Sequence, residues 1–255
     1  MVLFRTTRRN LAAEELKKAA ALDTNFGPAG PILASLYMES GEGTKAEKCF
    51  QAALTYGPTD PRVHMAFASW LVDRGRIDEA EAHAEQAEKY APTAVEPRLL
   101  RGQILLLKKD FQRAEQTFQA LHVESPTDAG IGGLWALSLV EQSDPVKKRR
   151  AQKVCDLVLR LAPSSPDAIA VRGVVALRSG IPEDAERYLS AAAGSGPLSA
   201  DLVFEFARYL AERGRAGEAK PLLEAAIAAK GRFLHRQEAQ SLMTKIVKEV
   251  KGPGG

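Results

Sequence analysis

The groups able to do chemistry in this chain are few, and their spacing keeps them apart. Four histidines, His64, His83, His122 and His235, contain no pair at i, i+4 on one helical face, and none stands in a zinc-ligand pattern with Cys49 or Cys155. No metal and no other cofactor is expected. Gly194-Ser195-Gly196 precedes Pro197 and lacks the lysine of a phosphate-binding loop, so it reads as a turn. The carboxylates Asp78, Glu79, Glu81, Glu183, Asp184 and Glu186 cluster where helices would begin, where the helix dipole favours negative charge, and do not form a catalytic pair. The run Lys147-Lys148-Arg149-Arg150 could dock an acidic partner, touch nucleic acid or serve as an import signal; its plainer reading is the solvated start of a helix. With no convergent titratable cluster, the sequence reads as non-enzymatic.

The elements that hold these groups follow a fixed period. Pro58, Pro92, Pro126, Pro163 and Pro197 are separated by 34, 34, 37 and 34 residues. Twelve positions before each proline, and once more towards the C-terminus, stands an alanine: Ala46, Ala80, Ala114, Ala151, Ala185 and Ala219. Two residue types therefore share one spacing. If the proline is numbered 32 within its repeat and this alanine 20, position 8 reads Ala34, Ala68, Gly102, Ala136, Gly173 and Ala207. Small residues at two points in each repeat are what two helices need where they cross closely. Larger apolar groups fill the space around them: Phe50, Ala84, Phe118, Cys155, Leu189 and Leu223 at position 24, and Tyr37, Leu71, Leu105, Leu139, Ala176 and Leu210 at position 11.

Helix punctuation agrees with this register. Asp60-Pro61 and Ser165-Pro166 each place a capping side chain before a proline, the pattern of a helix start. Gly41, Gly75, Gly180 and Gly214 fall seven residues after position 8, where the first helix must end in a left-handed residue before the chain reverses. The three extra residues of the fourth repeat are expected in its internal turn, around Ser143 to Arg150.

A small residue in each of two helices and a closing proline, repeated every 34 residues, resemble the tetratricopeptide repeat family over residues 10 to 250, although the tryptophan that family often shows at position 4 is absent from all six repeats. The resemblance implies an all-α fold of the α-α superhelix class, a right-handed solenoid of antiparallel helix pairs. Six repeats are expected at about 27–60, 61–94, 95–128, 129–165, 166–199 and 200–233. They would be flanked by an arm at 1–9, an extra helix at 10–22, a capping helix at 234–250 and a tail at 251–255. The capping helix reads from the stripe Ala239, Leu242, Met243, Ile246 and Val250. The segment 10–22 matches the second helix of a preceding repeat whose first helix is missing, which suits either a native cap or a piece of a longer solenoid.

Such repeats line a concave groove with their first helices, and the resemblance implies that a partner's peptide or amphipathic helix docks there. At the lining positions this chain places Met65, Ser69, Val72, Leu99, Gln103, Leu106, Leu107, Leu137, Val140, Val174, Leu177, Phe204 and Arg208. These are mostly aliphatic. They include neither the lysine, asparagine and arginine of a carboxylate clamp nor an asparagine ladder, since Asn10 and Asn25 lie outside the array's groove. Each aliphatic could equally pack between neighbouring helices.

A formal net charge of +3 from 35 basic and 32 acidic residues provides no strong field for nucleic acid, and no apolar run is long enough to span a membrane. The expected role is a protein-interaction scaffold or adaptor in the cytoplasm, with self-association through the groove also open. The alternative is a substrate-recruiting or regulatory domain of a larger enzyme or secretion component. RNA binding by a helical repeat ranks third, because the groove is aliphatic instead of basic.

Overall fold

The computed structural model describes residues 14, 15, 18, 30–229 and 233–251. Thirteen α-helices and no strand occur among them. They are α1 (Gly30–Glu39), α2 (Gly43–Tyr56), α3 (Pro61–Asp73), α4 (Ile77–Tyr90), α5 (Val95–Leu107), α6 (Phe111–Glu124), α7 (Ala129–Val140), α8 (Pro145–Leu161), α9 (Pro166–Arg178), α10 (Pro182–Ser195), α11 (Ala200–Glu212), α12 (Ala216–Ala228) and α13 (Arg236–Lys251). The expected arm at 1–9 and residues 252–255 lie outside the described residues, as does all of 10–22 except three helical positions. No described helix is long and apolar enough to cross a membrane.

The chain falls into two compact units, Met1–Leu71 with Asp78–Pro97, and Val72–Ile77 with Arg98–Gly255. In the first, Ala34 and Ala68 of the first helices and Ala46 and Ala80 of the second are fully buried. Around them the Phe50 ring of α2 stacks on Phe67 of α3 with centroids 4.9 Å apart, and Trp70 closes on both. Burying side chains of this size contributes about 1.5–3 kcal/mol each.

In the second unit the same register holds. A Cβ on Gly102 of α5 would meet the Phe118 ring of α6 at 2.7 Å, and one on Gly173 of α9 would meet Leu189 Cγ of α10 at the same distance. Phe118 and Leu189 fill the room that the glycines leave, and both are fully buried. α7 packs on α8, α9 on α10 and α11 on α12, while α7, α9 and α11 adjoin in turn. α13 lies against α12 and α11, with Ala239 and Ile246 of its apolar stripe buried.

The turns match their residues. Gly41, Gly75, Gly180 and Gly214 all have φ between 72° and 78°. The third repeat makes the same turn with Lys109 at φ 60°, a conformation that strains a side chain with a Cβ. Asp60 Oδ1 accepts from the Arg62 N–H and Ser165 Oγ from the Ala168 N–H, so both expected caps form. The insertion in the fourth repeat differs from expectation. Its turn, 141–144, is one residue longer than its equivalents, and most of the added length lies in α8, which runs 17 residues where α6 and α10 run 14. Asp144 caps the Val146 N–H and Pro145 occupies the first turn, so the helix starts early and the basic run becomes helical.

Candidate partner-binding face

The expected lining residues divide by burial. Val72, Val140, Val174 and Phe204 expose 3%, 1%, 2% and 2% of their surface and are core. Met65, Ser69, Leu99, Gln103, Leu106, Leu107, Leu137, Leu177 and Arg208 are half-buried. In the first unit, Ser69 Oγ donates to the Met65 carbonyl. In the second, α5 presents Leu99, Leu106 and Leu107 beside Gln103, whose side-chain oxygen is buried with no hydrogen-bond partner among the described residues. α7 contributes Leu137 and α9 Leu177.

From the end of α7 the face becomes ionic. Arg178 Nε donates to Glu141 Oε1 at 2.7 Å and its Nη2 to Glu205 Oε2 at 2.9 Å. Arg208 Nη2 reaches the same Glu205 oxygen at 2.6 Å, and its Nε lies 4.0 Å from Glu212. Burial would pull the Arg178 guanidinium down, but the two carboxylates around it hold it above its ordinary value. Burial pushes Glu205 up to about 7 against the pull of Arg178 and His235. Sequence reasoning named Arg208 as a lining residue but missed the rest of this ladder, Glu141, Arg178 and Glu205. Its signal was the alternating charge of Glu141, Arg178 and Glu212, one position beyond the expected Val140 and Leu177.

The basic run is partly engaged within the chain, with Lys147 and Lys148 half-buried and Arg149 and Arg150 exposed. Lys147 Nζ donates to Glu115 Oε2 and Gln142 Oε1 at 2.6 and 2.5 Å, and Lys148 Nζ to the Arg178 carbonyl at the end of α9. The Arg150 guanidinium lies 4.8 Å from the Trp135 ring centre. Only Arg149 of the four has no such contact described, and it is exposed.

Two histidines do meet. His64 Nδ1 and His83 Nδ1 are 2.9 Å apart across α3 and α4, and His64 Nε2 lies 3.0 Å from the Pro58 carbonyl. That oxygen only accepts, so the His64 Nε2–H is the donor to it. Their separation of nineteen residues hid the pair from an i, i+4 search. No group of three or more metal-capable side chains occurs among the described residues.

The model of the tetratricopeptide repeat matches residues 65–129 and 170–233, just over half of the chain, and the chain belongs to that family. A tetratricopeptide repeat protein from Parabacteroides merdae is 14% identical, with 93% of this chain and 91% of that one covered at a TM-score of 0.72. A thermophilic protein of the same repeat class from Thermus thermophilus is 18% identical over 73% of this chain and 98% of that one, at 0.57. PilF of Pseudomonas aeruginosa is 17% identical over 84% and 96%, at 0.54. These likenesses establish the fold, all-α and of the helical-repeat superhelix class. No curated protein sequence matches the chain. Proteins of this family are in general non-catalytic scaffolds that bind other proteins.

Proposed function

We propose that the protein is a non-enzymatic adaptor, and that the first-helix face of its second unit binds the apolar side of a partner's amphipathic helix or extended peptide. The observation behind this reading is the set of leucines that stay half-exposed on first helices, Leu99, Leu106, Leu137 and Leu177, while their neighbours two or three residues away are sealed in the core. Beyond Leu177 the paired charges of Glu141, Arg178, Glu205 and Arg208 would bound the apolar stretch and set direction, because a misregistered apolar group would strand them without solvent.

The partner is a protein in this proposal, not nucleic acid, since three of the four basic side chains of the α8 run already engage groups of the same chain. The location proposed is the cytoplasm, and both cysteines are free thiols, which suits a reducing compartment. Affinity capture with the native chain beside a Leu99→Glu, Leu137→Glu variant tests the reading. Loss of the captured partner from a variant of unchanged helicity supports it; equal retention on both contradicts it.

A further inference from the structure

The residues leading into and beginning α13 lie on one end of the face just described. Phe233 is fully buried, edge-on to Phe204 with ring centres 6.3 Å apart. The His235 ring also packs on Phe204, 5.4 Å away and 19° from parallel. His235 is held twice by one carboxylate of α11: its backbone N–H donates to Asp201 Oδ1 at 3.1 Å, and its Nδ1 lies 2.8 Å from the same oxygen. Arg236 donates to the Ile227 and Ala229 carbonyls at the end of α12 and reaches Asp73 at 3.6 Å. An expected groove residue, Phe204, is thus covered by the chain's own C-terminal segment.

The charges around this contact are out of balance. Facing Glu205 are Arg178 and Glu141 from α9 and the end of α7, Arg208 from α11 itself, and His235 and Glu238 from the covering segment, while Asp201 of α11 holds His235 and Glu212 lies 4.0 Å from Arg208. Asp73 and Arg74 stand at the Arg236 side. Counting Glu205 and the Arg236 side together, four arginines and one histidine are set against six carboxylates.

We propose that Phe233–Glu238 is a proton-sensitive latch over the α11 end of the binding face, closed at acid pH through its contacts with Phe204 and Asp201 beside Glu205, and loosened as pH rises through neutrality. This deepens the binding-face reading above by naming how access to that face is regulated. Protonated Glu205 removes a negative charge opposite Glu238, and protonated His235 completes an ion pair with Asp201. Deprotonation of both adds a charge on Glu205 opposite Glu238 and removes the charge that His235 sets against Asp201, leaving the Phe233 packing, the Arg236 bonds and the neutral hydrogen bonds of His235 to Asp201 to hold the contact.

The directions of titration agree with the geometry. Burial holds Glu205 at about 7, and for His235 the hydrogen bond and charge of Asp201 outweigh burial, which opposes them, and keep the ring above its ordinary value. Burial likewise raises Asp73, against Arg236. Glu205 and His235 each bind a proton more tightly when the latch is closed, so each contribution is present at acid pH and is lost as pH rises through neutrality.

The test is amide hydrogen exchange on the intact chain between pH 5.5 and 8.5, with intrinsic rates divided out. Protection in α13 should fall at least tenfold across that range while α9 and α10 stay constant, since a pKa that differs by about 1 between the closed and open latch changes their ratio tenfold. Glu205→Gln should reduce the step in α13 protection to the part that His235 contributes. Glu238→Gln, an exposed change that does not threaten folding, should shrink the step. A flat wild-type profile, or a full step in both variants, overturns the latch. No partner enters this experiment, so failure here leaves the binding face standing, and loss of the binding face leaves the exchange result standing.

Discussion

Gly102 and Phe118 occupy one crossing, and a single methyl group on the glycine would stand 2.7 Å from two atoms of the phenylalanine ring. The ring is fully buried and cannot retreat into solvent. Gly102→Leu should therefore destabilise the second unit by roughly 1–3 kcal/mol or more, read as a lowered midpoint in thermal unfolding. Ala80→Arg should do the same in the first unit, where Ala80 has no exposed surface. Unchanged midpoints in both variants would contradict the register of the helix pairs.

Lys109 makes the turn that glycine makes in four other repeats, at φ 60°. Its left-handed conformation costs about 1–2 kcal/mol, of which glycine's greater unfolded-state freedom takes back part. Lys109→Gly is expected to stabilise the protein by about 0.5–1 kcal/mol, measured by denaturant titration.

Glu205 binds its proton more tightly folded than unfolded, with a value of about 7 against 4.5. Its contribution is complete below pH 4.5 and is lost as pH climbs to 7, and that of His235 is lost over the range above 6.5. Stability should fall by about 3 kcal/mol at most from the Glu205 step. Glu205→Gln should flatten the stability profile in the 4.5 to 7 window, as followed by denaturant midpoints at several pH values.

The two thiols should differ in reactivity. Burial pushes Cys155 up to about 12, while half-buried Cys49 is raised less far by the same cause. A thiol reagent under native conditions should label Cys49 first and Cys155 only on unfolding, with mass spectrometry locating the label.

The parts of the fold read from sequence are those set within one repeat. Ala34, Ala136, Ala151 and Gly173 announce close crossings because nothing larger fits, and Gly41, Gly75, Gly180 and Gly214 announce left-handed turns because other residues resist them. The start of α8 was also written in Asp144-Pro145, the same cap-and-proline pair as Asp60-Pro61, yet the three extra residues drew it into a turn. What depends on neighbouring helices was harder to see. Lys147 and Lys148 look solvated until Glu115 and the Arg178 carbonyl are placed beside them, and Val140 and Phe204 look ligand-facing until their neighbours bury them. The Glu141, Arg178 and Glu205 ladder joins three helices, so local pattern identifies its members only once the register is fixed.

Side-chain footprinting by hydroxyl radicals on the full chain, with and without its captured protein partner, tests the binding face most directly. Oxidation of Leu99, Leu106, Leu137 and Leu177 should drop several-fold on binding, while Val123 and Val146, exposed on α6 and α8, remain as reactive as in the free protein. Protection of Val123 and Val146 with the four leucines unchanged would place the partner on the second helices and contradict the account.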